Sequence, residues 1–314
     1  MMLALPPSVI STIASPVAPL RMPTTFQANT FYLKVRLNHQ NLIFYIDSGG
    51  AMAIDAATAR RLGIPRRPIT NPSLAQQLPA GTRIVTIDNW QPPMVPPPAS
   101  HPLFTLTSMR QMPGWPRQAD GILGQAWLSG HAWTWNYPAH SFWLDPVGWR
   151  PRNARPLPIA FQHNAAGQPT NHFIRISVTI DHQTIPLLLD TGAETDLTPA
   201  AAKTLRHPKP QLRATSMIMR RIFERWHHTH PDWPVVQNAQ TTTHAPMIRV
   251  PAIRLDGIDL GPAWFTERPN RNFATIMSSM TAGPVYGSLG GNALAKTVLT
   301  IDYPNAKAWI AQVR

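Results

Sequence analysis

The chain has 314 residues, no cysteine, 43% hydrophobic and only 14% charged residues, which excludes wholesale disorder, disulfides and thiolate chemistry. Its net charge of +13 with 12 histidines invites a nucleic-acid reading. No Lys/Arg run exceeds two residues, however, and no RNA-binding or helix-turn-helix pattern occurs, so the charge is read as spread over the surface and no nucleic-acid partner is expected.

Residues 1–28 read as a leader or flexible N-terminus; the apolar, small-residue-rich start points to an extracytoplasmic setting, secreted or periplasmic. No later stretch reaches ~18 consecutive apolar residues, so no membrane span is expected. Residues 31–37 alternate apolar and polar as a half-buried strand does, and Asn38-His39-Gln40-Asn41 is a hairpin turn. The run Leu42-Ile43-Phe44-Tyr45-Ile46 is apolar on both faces and delivers Asp47 to a turn, Ser48-Gly49-Gly50. Residues 56–63 predict a short helix closed by glycine. Proline-punctuated sequence follows, with strand-like pieces at 83–87 and 103–106, then Ala119-Asp120-Gly121-Ile122-Leu123-Gly124 and two strands around Tyr137-Pro138. Residues 148–170, rich in Pro, Arg, Asn and Gly, read as a linker.

The second half repeats this order. Residues 173–180 repeat the first strand, Asp181-His182-Gln183-Thr184 the turn, and Ile185-Pro186-Leu187-Leu188-Leu189-Asp190-Thr191-Gly192-Ala193 the aspartate-bearing run. A helix at 199–205, the stretch Gly287-Ser288-Leu289-Gly290 and a hairpin around Tyr303-Pro304 complete the copy. Gly121 to Tyr137 and Gly287 to Tyr303 are both 16 residues apart, whereas aspartate to glycine is 74 residues in the first half and 97 in the second. The chain therefore reads as a duplicated unit, 29–147 and 171–314, with a 23-residue insert near 214–236 in the second copy. Residues 216–228, with Met217, Ile218, Ile222, Phe223 and Trp226, predict an amphipathic helix in that insert.

Two such units bring Asp47 and Asp190 together about a pseudo-two-fold axis. Two carboxyls in one site share a proton and titrate as a pair, so one can activate a water while the other protonates a carbonyl oxygen. Ser48 and Thr191 are placed to lock the two turns, and Gly49 and Gly192 to permit them. The motifs resemble the aspartic peptidases, both the two-lobed pepsin type and the retropepsin type. Ala119 to Gly124 looks like the pepsin first-lobe sequence after the flap, and Asp190-Thr191-Gly192-Ala193 like the retropepsin turn.

That resemblance implies an all-β fold of two homologous β-barrel-like lobes with short helices, and an aspartic endopeptidase with Asp47 and Asp190 as its dyad. It implies no cofactor or metal, a peptide or protein substrate bound in extended form under a flap, and a monomer whose single chain completes the site. The alternative is a pseudo-protease that binds extended peptides without turnover. Two positions depart from the pepsin pattern: Gly50 stands where Ser or Ala is usual, and no tyrosine lies between Asp47 and Tyr137. Trp90 is then the aromatic best placed for the flap.

Among other polar groups, Asp120, Asp145, Asp196 and Asp302 sit beside turns and are expected at the surface. Glu194, near the second turn, either tunes the site or faces solvent. His227, His228, His230 and His244 lack a ligand pattern for a metal, and Arg220, Arg221 and Arg225 read as a solvated helix face. The basic balance suggests operation at acidic pH.

Overall fold

The computed structural model describes residues 16–37, 39–70, 83–87, 103–107, 119–206 and 212–313. In the first half, Thr30–Leu37 and Gln40–Ile46 form an antiparallel hairpin in which Tyr32 faces Tyr45 and Leu37 faces Gln40. Lys34 and Arg36 are exposed while Leu33, Val35 and Leu37 are buried, the alternation of a sheet with one wet face. Gln40–Ile46 runs parallel to Gly121–Leu123, which is also bordered by antiparallel Ala53–Asp55. These strands belong to a sheet of eight. Asp55 caps the helix Ala56–Arg61 by accepting from the Ala57 and Thr58 N–H groups. The helix ends at Leu62, before Gly63 at φ 66°.

The second half begins alike. Arg175–Ile180 pairs with Gln183–Leu189 through a tight turn with Asp181 and His182 at φ 49° and 59°, the left-handed pair that a two-residue hairpin loop needs. Gln183–Leu189 runs parallel to Gly287–Leu289. The halves then diverge. Glu194–Asp196 pairs with Leu212–Ala214 instead of bordering Gly287–Leu289, and that place is taken by Ser216–Met219. The predicted helix over 216–228 is therefore corrected: its first four residues are a strand, and the helix is Arg220–Thr229. Ser216–Met219 lies between Gly287–Leu289 and Ala263–Arg268 in a nine-stranded sheet, and two ladders of main-chain bonds outweigh local propensity.

Helix Arg220–Thr229 buries Ile222, Phe223 and Trp226. Trp226 meets Phe265 edge-on at 5.5 Å and Trp233 at 5.9 Å. Trp226→Ala is expected to lower stability by about 3–5 kcal/mol, read as a fall in the denaturant midpoint at unchanged slope.

A third sheet joins the halves. Its six strands run in the order Leu20–Arg21, Ser141–Asp145, Ala132–Asn136, Thr297–Asp302, Lys307–Gln312, Arg155–Leu157. The last of these lies within the stretch read as linker. The two Tyr-Pro hairpins pair back to back at its centre, with Thr134 opposite Thr300 and their hydroxyls 2.6 Å apart. These threonines are 166 residues apart, the spacing that also separates Gly121 from Gly287. The duplication axis thus passes between them. Trp127, Trp133 and Trp135 fill the core beneath, with Trp133 stacked on Phe142 at 5.0 Å.

Three aspartates expected at the surface are buried, because each finds donors far away in sequence or across a turn. Asp120 accepts from Thr58, Arg61 and the Ile43 N–H, and Asp145 from Thr134 at 2.6 Å. Asp302 holds the Gly148 N–H and Asn305. Burial pushes the Asp145 carboxyl up to about 6. Asp196 is half-buried. No helix among the described residues is long and apolar enough to cross a membrane.

Candidate active site

The two apolar strands end in the same way. The Asp47 N–H donates to the Leu123 carbonyl at 3.1 Å, and the Asp190 N–H to the Leu289 carbonyl at 3.0 Å. Each chain then turns back on itself, with Gly50 N–H donating to Asp47 O and Ala193 N–H to Asp190 O. The glycine that closes each downstream motif lies against the backbone of this region. A Cβ on Gly124 would stand 2.2 Å from the Gly50 carbonyl, and one on Gly290 1.8 Å from the Thr215 carbonyl.

Three hydrogen bonds clamp the turns together. Ser48 Oγ donates to the Leu189 carbonyl at 2.8 Å and accepts from the Thr191 N–H at 3.0 Å. The Ser48 N–H donates to Thr191 Oγ1 at 3.1 Å. Both hydroxyl residues are buried, so these bonds face no competition from water.

The aspartates face each other across this clamp. A Cβ on Gly192 would fall 2.4 Å from Asp47 Cγ, and one on Gly49 2.5 Å from Asp190 Cγ. Each carboxyl therefore lies over the other half's glycine. Gly192→Ala is expected to displace Asp47 and lower kcat/KM by about 100-fold or more, measured beside a thermal melt that reports the smaller cost of overpacking. Gly50 has a related role: a Cβ there would lie 2.3 Å from Asp47 Oδ2. The departure from Ser or Ala at this position is what leaves room for the Asp47 carboxyl.

Both carboxyls are raised above the ordinary range. Asp47 is raised well above the ordinary carboxylate range by burial and by the negative charge of Asp190, and its Oδ1 accepts the Gly49 N–H at 2.9 Å. Burial raises Asp190 too, the main-chain N–H groups of its own turn acting the other way; Ser288 Oγ is buried nearby without a hydrogen-bond partner. The position that Ser288 holds beside Leu188 is held beside Tyr45 by Ile122 in the first half, and Ile122 has no donor to offer. Two carboxyls held this close, both raised by burial, share one proton between them. Asp190 also keeps an edge open to solvent, whereas Asp47 is 9% exposed.

Glu194 is buried, and Tyr32 of the first half donates to its Oε1 at 2.9 Å. Burial pushes its carboxyl up to about 8, against the hydrogen bond from Tyr32. Burial and the charges of Asp47, Glu194 and Asp190 also raise the Tyr45 phenol. The structure brings Asp47, Asp190, Ser48 and Thr191 together; Ser288 and Tyr32, also in this region, were not singled out from the sequence. The contrast between Gly-Ser-Leu-Gly and Gly-Ile-Leu-Gly was the available signal for Ser288; nothing local marks Tyr32. Trp90 lies outside the described residues. His227 and His228 are exposed on helix Arg220–Thr229, and His230 stacks on Trp233 beside Asp181.

No protein-family model matches the chain, and no curated protein matches it in sequence. Among solved structures it is similar to conglutin gamma, a basic 7S globulin from lupine seeds, at 11% identity over 93% of this chain and 94% of that one, with a TM-score of 0.45. It is also similar to EDGP, at 9% identity over 96% of both chains with a TM-score of 0.47. A third is the aspartic proteinase from Irpex lacteus, at 10% identity over 94% of this chain and 98% of that one, TM-score 0.47. The fold is evident within this chain itself: two strands, each running parallel to a glycine-flanked partner, present aspartates to one another through turns locked by hydroxyls of both halves. That pairing, built on a duplicated, mostly β scaffold, is the arrangement that the resemblance to the aspartic peptidases implies.

Proposed function

We propose that the protein is an aspartic endopeptidase with Asp47 and Asp190 as its catalytic pair. The observation that carries this reading is the placing of each aspartate against the other half's turn glycine, in turns locked to one another by Ser48 and Thr191. Ionised Asp190 takes a proton from a water whose oxygen attacks the peptide carbonyl carbon, while Asp47 gives its proton to the carbonyl oxygen. In the tetrahedral diol that results, Asp190 returns its proton to the amide nitrogen and Asp47 recovers one from a hydroxyl. The carbon–nitrogen bond then breaks and the pair is back in its starting state. Ser48, Gly49, Thr191 and Gly192 hold the carboxyls in register. The same proposal takes 29–147 and 171–314 as the lobes, 148–170 as the link between them, a monomer as the working unit and an extracytoplasmic setting.

The test is incubation of the full chain with an unfolded protein substrate between pH 3 and 7, with products identified by mass spectrometry. Internal cleavage is expected, strongest on the acidic side. Peptide binding without cleavage across that range overturns the reading in favour of a binding protein.

A further inference from the structure

A cavity of about 570 Å³ lies on the sheet that joins the halves, between the last hairpin and the stretch 148–159. No residue of the two aspartate turns lines it. Pro156, Pro158 and Ile159 form an apolar wall, and Gly148 and Arg150 belong to another. Asp302 ties that second wall to the hairpin, since its carboxylate accepts from the Gly148 N–H at 2.8 Å and from Asn305 Nδ2 at 2.7 Å. Its other oxygen takes the Asn305 N–H, so the one carboxylate of the lining is already engaged. Lys307 and Trp309 complete the lining, two residues apart on strand Lys307–Gln312 and therefore on one face of it.

The duplication supplies a control for this corner. The offset of 166 residues makes Trp143 the counterpart of Trp309, and Ser141 the counterpart of Lys307. In the first half Trp143 Nε1 donates to Ser141 Oγ at 3.0 Å. In the second half the hydroxyl gives way to an ammonium, which is itself only a donor. Trp309 is 7% exposed, and its Nε1–H donates to no described residue. Arg150 and Lys307 are exposed and make no ion pair or hydrogen bond through their side chains with any described residue. Three donors, two of them cationic, thus meet an apolar wall with no free carboxylate among them.

We propose that this cavity is a binding site for a small organic carboxylate, whose apolar or aromatic body packs on Pro156, Pro158 and Ile159 while Lys307, Arg150 and the Trp309 N–H hold its charge. The volume falls within the range of about 300–1,000 Å³ usual for small-molecule sites, and so does the mix of apolar surface with a few convergent polar groups. A carboxylate answers both cations and accepts from the indole at once, through charge-assisted bonds stronger than neutral ones. A neutral alcohol satisfies the indole and leaves the cations without a counter-charge; a bare inorganic anion leaves the apolar wall uncovered. The site is independent of the peptidase reading, because none of its residues takes part in the proton transfers of the dyad.

The experiment titrates the isotope-labelled full chain with phenylbutyrate and follows its assigned tryptophan indole N–H peaks by NMR. The Trp309 peak is expected to shift saturably, with an affinity about tenfold or more above that for the neutral analogue phenylbutanol. Lys307→Ser restores the first-half residue, so it gives the indole an acceptor and removes a charge; it is expected to weaken phenylbutyrate by about tenfold. Arg150→Gln is expected to weaken it several-fold by itself. Both side chains are exposed, so thermal melts of the two variants are expected to match the wild type. Absence of a saturable shift at Trp309 overturns the proposal. Equal affinity for acid and alcohol overturns it too, as does a shift undiminished in both Lys307→Ser and Arg150→Gln.

Discussion

Asp190→Asn is expected to lower kcat/KM for a peptide substrate by about 10³-fold or more, and Asp47→Asn by a similar factor. The amide keeps the size of the carboxyl and can still hydrogen-bond across the pair, so the clamp of Ser48 and Thr191 stays closed. What is lost is the proton that moves: an amide in place of Asp190 cannot take one from water, and an amide in place of Asp47 cannot give one to the carbonyl. A positioned acid or base is worth about 10²–10⁴ in rate, and two that act as a unit fail together, so the double variant is expected to be no worse than either single one. Progress curves with a fluorogenic peptide near the acidic optimum measure all three. Activity that survives both substitutions removes these aspartates from the chemistry.

The second large effect is on stability. Asp47, Asp190 and Glu194 all have folded pKa values above their ordinary ones, chiefly through burial. Between the ordinary and the folded value the native state binds more protons than the unfolded chain, so stability falls as pH rises. For Glu194 the window runs from its ordinary 4.5 to about 8, and above that the loss levels off. Each pH unit between those two values is worth about 1.4 kcal/mol, so a group this deep contributes a loss on the order of a few kcal/mol. Denaturant midpoints taken from pH 4 to 9 are expected to decline for the wild type and to decline less for Glu194→Gln. Parallel curves for the two proteins would show that Glu194 is not a source of the slope. A protein built this way is most stable where its carboxyls are protonated, which agrees with the acidic working range that its basic composition suggests.

Much of the scaffold could be read from residue order because the information is local and written twice. The alternation at 31–37, the turn at 181–184 and the 16-residue spacing before each Tyr-Pro hairpin each predict a neighbour only a few residues away. What escaped the sequence depends on partners far along the chain. Asp120 and Asp302 sit beside turns as surface residues do, and their burial follows from Thr58 and Arg61 for the first and Gly148 for the second. Ser216–Met219 belongs to the apolar pattern of the following helix but is claimed by strands on both sides. Glu194 carries no local mark of burial, since Tyr32, its partner, is in the other half.

The meeting of Thr134 with Thr300 on the duplication axis has a consequence for how the two aspartates came to differ. Corresponding residues that touch their own counterparts are the signature of an isologous contact, the kind by which two identical half-length chains would associate. In such an assembly every substitution appears on both sides at once, and the two carboxyls are bound to equal surroundings. Joining the halves into one polypeptide frees each to change alone. Ser288 in one half and Ile122 in the other is a change of that sort, and it gives the two aspartate-bearing strands unlike neighbours.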